Sequence, residues 1–280
     1  MLTISIDPTA FRIGPHPIYW YGIMVALAVI ALIAMILRET KRLGVSQDII
    51  YALFLWGIIG GFVGAKVVYL INQWRLYGVN PSEIISPAGL ALYGAIGGAL
   101  VGAWFYTRVK KFPFSNLAGI GDALAVGAPL AQAIGRIGCT INGCCFGKLS
   151  PFNSFPGAVY YSPRYTIPSQ YWTIPAQGQW VALFPTQIYF LIWNLIVFAI
   201  IWQLRGRLKP QGSLFFLYLC LYAAGDFGLR FFRYVDAPFL FGLHQGQVIS
   251  LAILVVALPW LIIRIRKFRL SCHSEQCHSE

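Results

Sequence analysis

Seven long apolar stretches constrain the fold of this chain more than any other feature. An α-helix rises about 1.5 Å per residue, so about 20 apolar residues cover the ~30 Å hydrocarbon core of a bilayer. The apolar runs are continuous and do not alternate with polar residues, which favours spanning helices over a barrel. The predicted spans are 18–37, 49–71, 88–107, 117–137, 184–204, 213–232 and 248–263.

The composition agrees with a protein embedded in a membrane. Of the 280 residues, 58% are hydrophobic and only 11% are charged, whereas an ordinary soluble domain has about 25% charged residues. A soluble globular enzyme, a disordered chain and a disulfide scaffold are therefore excluded. We predict an all-α integral membrane protein, with one seven-helix domain over residues 1–270 and a disordered cytoplasmic tail over 271–280.

Basic residues predict the orientation of the helices. They follow the first, third, fifth and seventh spans, and the positive-inside rule places those ends in the cytoplasm. The N-terminus and the long loop 139–183, with Trp172 and Trp180, are then expected outside. Because this distribution explains the net charge of +12, we expect no nucleic-acid partner. The basic residues that follow these four spans are Arg38, Lys41, Arg42, Arg108, Lys110, Lys111, Arg205, Arg207, Lys209, Arg264, Arg266, Lys267 and Arg269.

Spans two and three are rich in glycine. Small residues four positions apart let two helix backbones approach closely, so helix packing is the simpler interpretation. The alternative is that the glycines clear a groove for a lipid chain. The residues are Gly57, Gly60, Gly61 and Gly64 in one span and Gly94, Gly97, Gly98 and Gly102 in the other.

Charged residues inside a membrane are costly and therefore indicate function or internal pairing. Lys66 fits a snorkelling side chain. Asp122 either caps its own helix or pairs with a base inside the bundle. Arg136 lies at the predicted outer end of span four, between glycines that expose backbone N–H groups. With the nearby amide of Asn142, this segment is suited to an anion, and a phosphate matches the planar guanidinium fork.

A second charged cluster lies in span six. Asp226 and Arg230 are four residues apart and share a helix face, which fits an ordinary salt bridge. It also fits a site at which Arg230 or Arg233 joins Arg136 at the same membrane surface.

Three of the six cysteines lie close together in the sequence, at Cys139, Cys144 and Cys145. A disulfide, a metal site and a nucleophile are all open, but no nearby histidine or acid completes a zinc site. An oxidising exterior favours a disulfide or buried free thiols. The Cys/His tail that begins at Cys272 is expected to be disordered rather than metal-binding.

Five segments, in order along the chain, match the sequence pattern of one known family. The segment GRIGCTINGCCFG at 135–147 is similar to the signature G-R-I-G-N-F-I-N-G-E. The other segments are WYGIM at 20–24, LYGAIG at 92–97, PTQIY at 185–189, and FFR at 231–233 with Asp236 and GQVIS at 246–250. Together they resemble the prolipoprotein diacylglyceryl transferase family of the bacterial inner membrane.

The resemblance implies an activity and a mechanism. The family transfers a diacylglyceryl group from phosphatidylglycerol to the thiol of the lipobox cysteine of a prolipoprotein. The thiol attacks the glycerol carbon that bears the phosphate, and glycerol phosphate leaves. No metal or soluble cofactor is implied, and the implied location is the bacterial plasma membrane.

The resemblance also implies roles for particular residues. Arg136 matches the headgroup-binding arginine of the signature, and it is expected to clamp the phosphate together with Arg230 or Arg233. The remaining assignments are Tyr21 and Asn142 as residues that orient the lipid, and Tyr93 or Asp226 as the base.

Several positions depart from the family pattern. Tyr93 and Phe184 replace histidines, and Phe190 replaces an acid. Cys139 and Cys144 replace the asparagine and the glutamate of the signature. The Asp226–Arg230 pair reverses the polarity of an Arg–Glu pair. These departures keep two alternatives open, namely a transferase with another acceptor and a phospholipid-binding protein without activity. A transporter fits poorly because no inverted halves are present, and a retinal protein would need a lysine in the last span.

Overall fold

The computed structural model describes residues 2–42, 46–77, 92–111, 114–161, 181–234 and 240–276. The described chain is mostly helical, and each of the seven predicted spans overlaps one helix. The helices are α1 Trp20–Arg42, α2 Gln47–Tyr77, α3 Leu92–Val109, α4 Phe114–Asn142, α5 Thr186–Leu204, α6 Ser213–Leu229 and α7 Gln245–Gln276. A short 3₁₀ helix, Arg230–Phe232, continues α6.

Six of these helices are long and apolar enough to cross a membrane, which confirms an α-helical, multi-pass membrane protein. The described part of α3 is not among them, because its 18 residues include four glycines and Arg108. The six segments are Trp20–Arg42, Gln47–Ile71, Leu117–Asn142, Thr186–Leu204, Ser213–Phe232 and Gln245–Leu270.

The described helices expose apolar side chains and bury polar ones. Ile30, Ile58 and Val256 are each more than 60% exposed, as expected for residues that face lipid. Thr186, Gln187, Asn194, Ser213, Asp226, Gln247 and Ser250 are all buried. In a bilayer these polar groups must find their partners within the protein.

The described residues also form five short strands. The N-terminal strand β1 Thr3–Ile4 pairs in parallel with β4 Val159–Tyr161, which pairs antiparallel with β5 Val181–Leu183. Strands β2 Thr9–Ile13 and β3 His16–Tyr19 form a hairpin directly before α1.

The start of the predicted loop 139–183 was wrong. Helix α4 continues to Asn142 and ends where Gly143 adopts a left-handed conformation with φ of +65°, which is a common helix stop. The loop also contains strands β4 and β5. Trp172 and Trp180 lie outside the described residues.

The chain divides into two compact units, Leu37–Gly119 and the rest, Met1–Ile36 with Ile120–Glu280. In the smaller unit, α2 and α3 pack through their glycines. A Cβ atom on Gly60, Gly64, Gly94 or Gly98 would collide with backbone atoms of the facing helix. Gly97, in contrast, has open space around it. Close packing therefore accounts for most of these glycines, as the simpler interpretation predicted.

In the larger unit, Asp122 caps a helix other than its own. Its carboxylate accepts hydrogen bonds from the backbone N–H of Gly212, at 2.6 Å, and of Phe215, at 2.9 Å. These N–H groups belong to the first turn of α6, whose N-cap residue, Gly212, has no side chain. Asp122 thus satisfies donors that would be unpaired inside the membrane.

We expect Gly98→Val to destabilise the protein by about 1–3 kcal/mol or more, because the new side chain overlaps the backbone of α2. The matched variant Gly97→Val, one residue away, should leave stability nearly unchanged because its position is open. Thermal unfolding of both variants in the same detergent measures the difference. Equal melting temperatures would contradict the packing described here.

We expect Asp122→Ala to lower stability by about 0.5–2 kcal/mol, the usual cost of removing a helix cap. Asp122→Asn keeps one acceptor oxygen and should lose less. Thermal unfolding of the two variants beside the wild-type chain checks the order. If the two variants lost the same stability, the carboxylate would act through its charge rather than as a hydrogen-bond acceptor.

Candidate functional site

The candidate site is built where the ends of several helices of the larger unit meet. Just after α4, Gly147 donates its backbone N–H to Phe184 O at 3.0 Å, and Phe184 donates in return to Lys148 O at 3.0 Å. Lys148 donates to Phe232 O at 2.9 Å, and Gly147 forms a β-bridge with Arg233. These bonds fasten the segment after α4 to the start of α5 and to the end of α6.

Two side chains at the start of α5 fix the turn of the signature segment. Thr186 Oγ1 donates to Cys145 O at 2.8 Å, and Gln187 Nε2 donates to Cys144 O at 2.8 Å. Both side chains are fully buried. Cys145 has a φ of +62°, which is unfavourable for a residue with a side chain. The PTQ segment therefore holds the cysteine turn in a conformation that it would not adopt alone.

Arg136 lies inside α4, less than two turns before the helix ends. Its guanidinium carbon is 4.3 Å from the centroid of the Phe190 ring, a cation–π contact. Phe190 occupies the position at which the family pattern has an acid. Among the described residues, no carboxylate forms a salt bridge with Arg136. An aromatic face thus orients the guanidinium without neutralising its charge.

Asp226 and Arg230 form the ion pair that their spacing predicted. Arg230 Nε lies 2.5 Å from Asp226 Oδ2, and Ser250 Oγ of α7 donates to the same oxygen at 2.7 Å. Asp226 is only 3% exposed. A Cβ atom on Gly246 would overlap the Arg230 guanidinium. The GQVIS segment therefore supplies both the space for Arg230 and a hydrogen bond to its partner.

Tyr222 lies where the charges of the site converge, and the sequence analysis did not single it out. Asp226, Arg136, Arg230 and Arg233 all lie close enough for their charges to act on its hydroxyl. The signal in the sequence was its position, one helical turn before Asp226. A phenol can donate a hydrogen bond to an anion.

Two residues predicted to orient a ligand lie at the same end of the bundle. Gly138 of α4 packs against Met24 and the ring of Tyr21, so α1 brings Tyr21 beside the signature segment. The charge of Arg136 acts on Tyr21. The side chain of Asn142 is within hydrogen-bonding range of the Cys144 thiol.

Cys139, Cys144 and Cys145 are free thiols, and their three sulfur atoms lie within 4.8 Å of one another. Cys144 Sγ donates to Cys139 O at 3.8 Å. Hydrogen bonds from Cys139 and Cys144, followed by the charges of Arg233 and Arg136, lower the pKa of Cys145. The structure therefore has half-buried free thiols here rather than the disulfide or the buried free thiols that the sequence favoured.

The remaining predicted residues belong to the smaller unit or have side chains outside the described part of the chain. Tyr93 lies in the first turn of α3, and its side chain is outside the described part, as are Asp236 and the side chain of Cys272. Lys66 Nζ lies 5.3 Å from the centroid of the Tyr69 ring.

The fold and the site define a multi-pass membrane protein that gathers arginines, tyrosines and thiols at one end of its helices. A model of the family "Prolipoprotein diacylglyceryl transferase" matches residues 8–263. The chain therefore belongs to the prolipoprotein diacylglyceryl transferase family.

Curated relatives carry the name phosphatidylglycerol–prolipoprotein diacylglyceryl transferase. A protein of Dehalococcoides mccartyi is 38% identical over 268 residues, which cover 95% of this chain and 97% of that protein. A protein of a Nostoc species is 34% identical, with 95% and 93% covered. A protein of Lysinibacillus sphaericus is 32% identical, with 94% of each covered.

We expect Gly246→Ala to destabilise the protein by about 1–3 kcal/mol, because the added methyl group overlaps the Arg230 guanidinium and forces the ion pair apart. Gly228→Ala is the matched control, since nothing lies within 4 Å of the Cβ it would add. Thermal unfolding in detergent compares the two variants. Equal stability would mean that Arg230 moves aside freely and is not held by Asp226.

Proposed function

We propose that this protein transfers a diacylglyceryl group from phosphatidylglycerol to the lipobox cysteine of prolipoproteins. The observation that carries the proposal is the placement of Arg136. In a chain of this family, it lies half-buried on an aromatic face without a carboxylate partner among the described residues. A free guanidinium at a membrane-helix end is suited to the phosphodiester of a phospholipid.

The arginines have different tasks in this proposal. Arg136 holds the phosphate and stabilises the charge that grows on glycerol phosphate as it leaves. Arg230 is paired with Asp226 and adds to the positive potential at the site without contacting the phosphate. Arg233 contacts the phosphate together with Arg136. Tyr222 donates a hydrogen bond to the same phosphate, and Tyr21 and Asn142 orient the lipid.

The acceptor thiol has to lose a proton, because the thiolate is the nucleophile. Two residues are proposed as the base. Asp226 Oδ1 is buried and has no hydrogen-bond partner among the described atoms, so it is free to accept a proton. Tyr93, the second candidate, occupies the position at which the family pattern has a histidine, and its phenol would have to lose its proton before it could act as a base.

We place the protein in the bacterial plasma membrane with seven spans, the N-terminus outside and the C-terminus in the cytoplasm. The basic ends of α1, α3, α5 and α7 support this orientation. The candidate site then lies on the outer side. That is where a prolipoprotein presents its lipobox cysteine, and the described residues 143–161 after α4 would lie on the same side.

We expect the chain to restore lipid attachment in a bacterium depleted of its own transferase, and Arg136→Ala to abolish this. Loss of a group that stabilises the leaving charge costs about 10²–10³-fold in rate. The gel shift of a reporter lipoprotein measures attachment, with membrane levels of each variant checked by immunoblot. Arg207→Ala removes an exposed arginine after α5 and should leave attachment intact.

A wild-type chain that is inserted and stable, but leaves a reporter lipoprotein from its native organism unmodified, would contradict the proposal. Binding of phosphatidylglycerol without turnover would then indicate a lipid-binding protein. Modification of another acceptor would indicate a transferase of altered specificity.

A further inference from the structure

The three thiols of the signature turn form the densest group of metal-ligating side chains that the structure describes. Cys139, Cys144 and Cys145 all place Sγ within 4.8 Å of one another, and all three are half-buried. Within the described ranges, no histidine, aspartate or glutamate joins this group. The described residues therefore offer three sulfur ligands and no fourth ligand.

The scaffold holds these sulfurs together without any covalent link. Cys139 is on α4, and the other two follow a glycine turn that Thr186 and Gln187 fasten through backbone carbonyls. Because these bonds use only main-chain oxygens of the turn, they leave the thiols available. Hydrogen bonds from the start of α5, rather than bonds among the cysteines, thus hold the site in its geometry.

The spacing fits a shared metal ion better than a disulfide. Two sulfurs bound to one Zn²⁺ at about 2.3 Å each lie about 3.8 Å apart in tetrahedral geometry, which small side-chain rotations reach from the observed spacing. Adjacent residues have Cα atoms about 3.8 Å apart, below the usual range for a disulfide. A Cys144–Cys145 disulfide is therefore disfavoured, and every pairing of the three cysteines leaves one thiol unused, whereas a metal ion takes all three.

We propose that Cys139, Cys144 and Cys145 bind Zn²⁺ as three thiolates and leave the fourth coordination position for the acceptor cysteine of the prolipoprotein. The second half of this statement rests on the proposed function. Three protein ligands with one open position are the usual arrangement of catalytic zinc. Three thiolates and Zn²⁺ carry a net charge of −1, which Arg136 and Arg233 lie close enough to balance.

The ion would activate the nucleophile. The acceptor thiol coordinates Zn²⁺ and releases its proton to solvent, because metal coordination deprotonates a thiol. A sulfur lone pair then forms the S–C bond to the glycerol carbon, while the C–O bond to phosphate breaks and its electron pair leaves on glycerol phosphate. The neutral thioether is a weaker ligand than the thiolate and dissociates. This route needs no histidine at the position of Tyr93, although the family resemblance implies no metal.

The first test is zinc content. The full chain, with the tail cysteines Cys272 and Cys277 changed to serine and without a histidine tag, is purified under reducing conditions. Elemental analysis should find about one zinc per chain. Cys139→Ser, Cys144→Ser and Cys145→Ser should each lower this by about tenfold or more, with thermal unfolding confirming that each variant is folded.

Cys220→Ser is the matched control, because Cys220 is buried among Ala257 and Leu261 in another part of the larger unit. It should retain the wild-type zinc content. Zinc below about a tenth of an equivalent in the reduced wild-type chain supplied with Zn²⁺ would overturn the proposal. So would full zinc content in all three single variants, or a Cys139 disulfide in the protein from membranes.

The second test concerns the open position. Replacement of zinc by Co²⁺ provides a thiolate-to-metal absorption band that reports the number of sulfur ligands. A lipobox peptide should strengthen this band, whereas the same peptide with serine in place of cysteine should not. An identical response to both peptides would overturn the assignment of the fourth position.

Activity separates this inference from the proposed function. Removal of zinc by a chelator should slow diacylglyceryl transfer by about tenfold or more, and added Zn²⁺ should restore it. Undiminished transfer by the zinc-free chain would refute the role of the metal while the proposed function stands. Stoichiometric zinc in a chain that transfers nothing in any form would refute the proposed function while the metal site stands.

Discussion

The buried ion pair between Asp226 and Arg230 is the interaction on which the arrangement of the site depends. A lone charge inside a membrane bundle is expensive, so the pair exists only because other groups complete it. Ser250 donates to the carboxylate, and Gly246 leaves room for the guanidinium. These partners fix α7 against α6, and the charges on α6 can then act on Tyr222 beside Arg136 of α4.

The same constraint explains why the site lies at helix ends. Backbone groups at helix termini lack partners, and in a bilayer the protein itself must provide them. Asp122 does this for the start of α6. Thr186 and Gln187 use the reverse arrangement, since their side chains satisfy carbonyls of the signature turn. The side chains of Thr186 and Gln187 thus satisfy backbone groups and, by the same hydrogen bonds, hold the signature turn in place.

The sequence predicted the elements and the family but few of the partnerships within the site. The apolar runs located all seven helices, because their signal is local, but α7 continues to Gln276, well beyond the predicted end at residue 263. The spacing of Asp226 and Arg230 also predicted their pair, since residues four apart share a helix face. Asp122 and Gly212 are 90 residues apart, and no periodicity links them. The stacking of Phe190 on Arg136 and the convergence on Tyr222 likewise follow from tertiary packing alone.

The departures from the family pattern have a common physical consequence. At the positions of Phe190 and Cys144 the pattern has acids, which would compete with a phosphate for Arg136. Here an aromatic ring supports the guanidinium, and a thiol lies on the fastened turn. The positive charge of Arg136 is therefore available to an anionic ligand, while Arg230 is neutralised by Asp226. Under the proposed function, the substitutions that remove family acids and histidines leave Arg136 in place for the headgroup, and other groups would have to activate the acceptor.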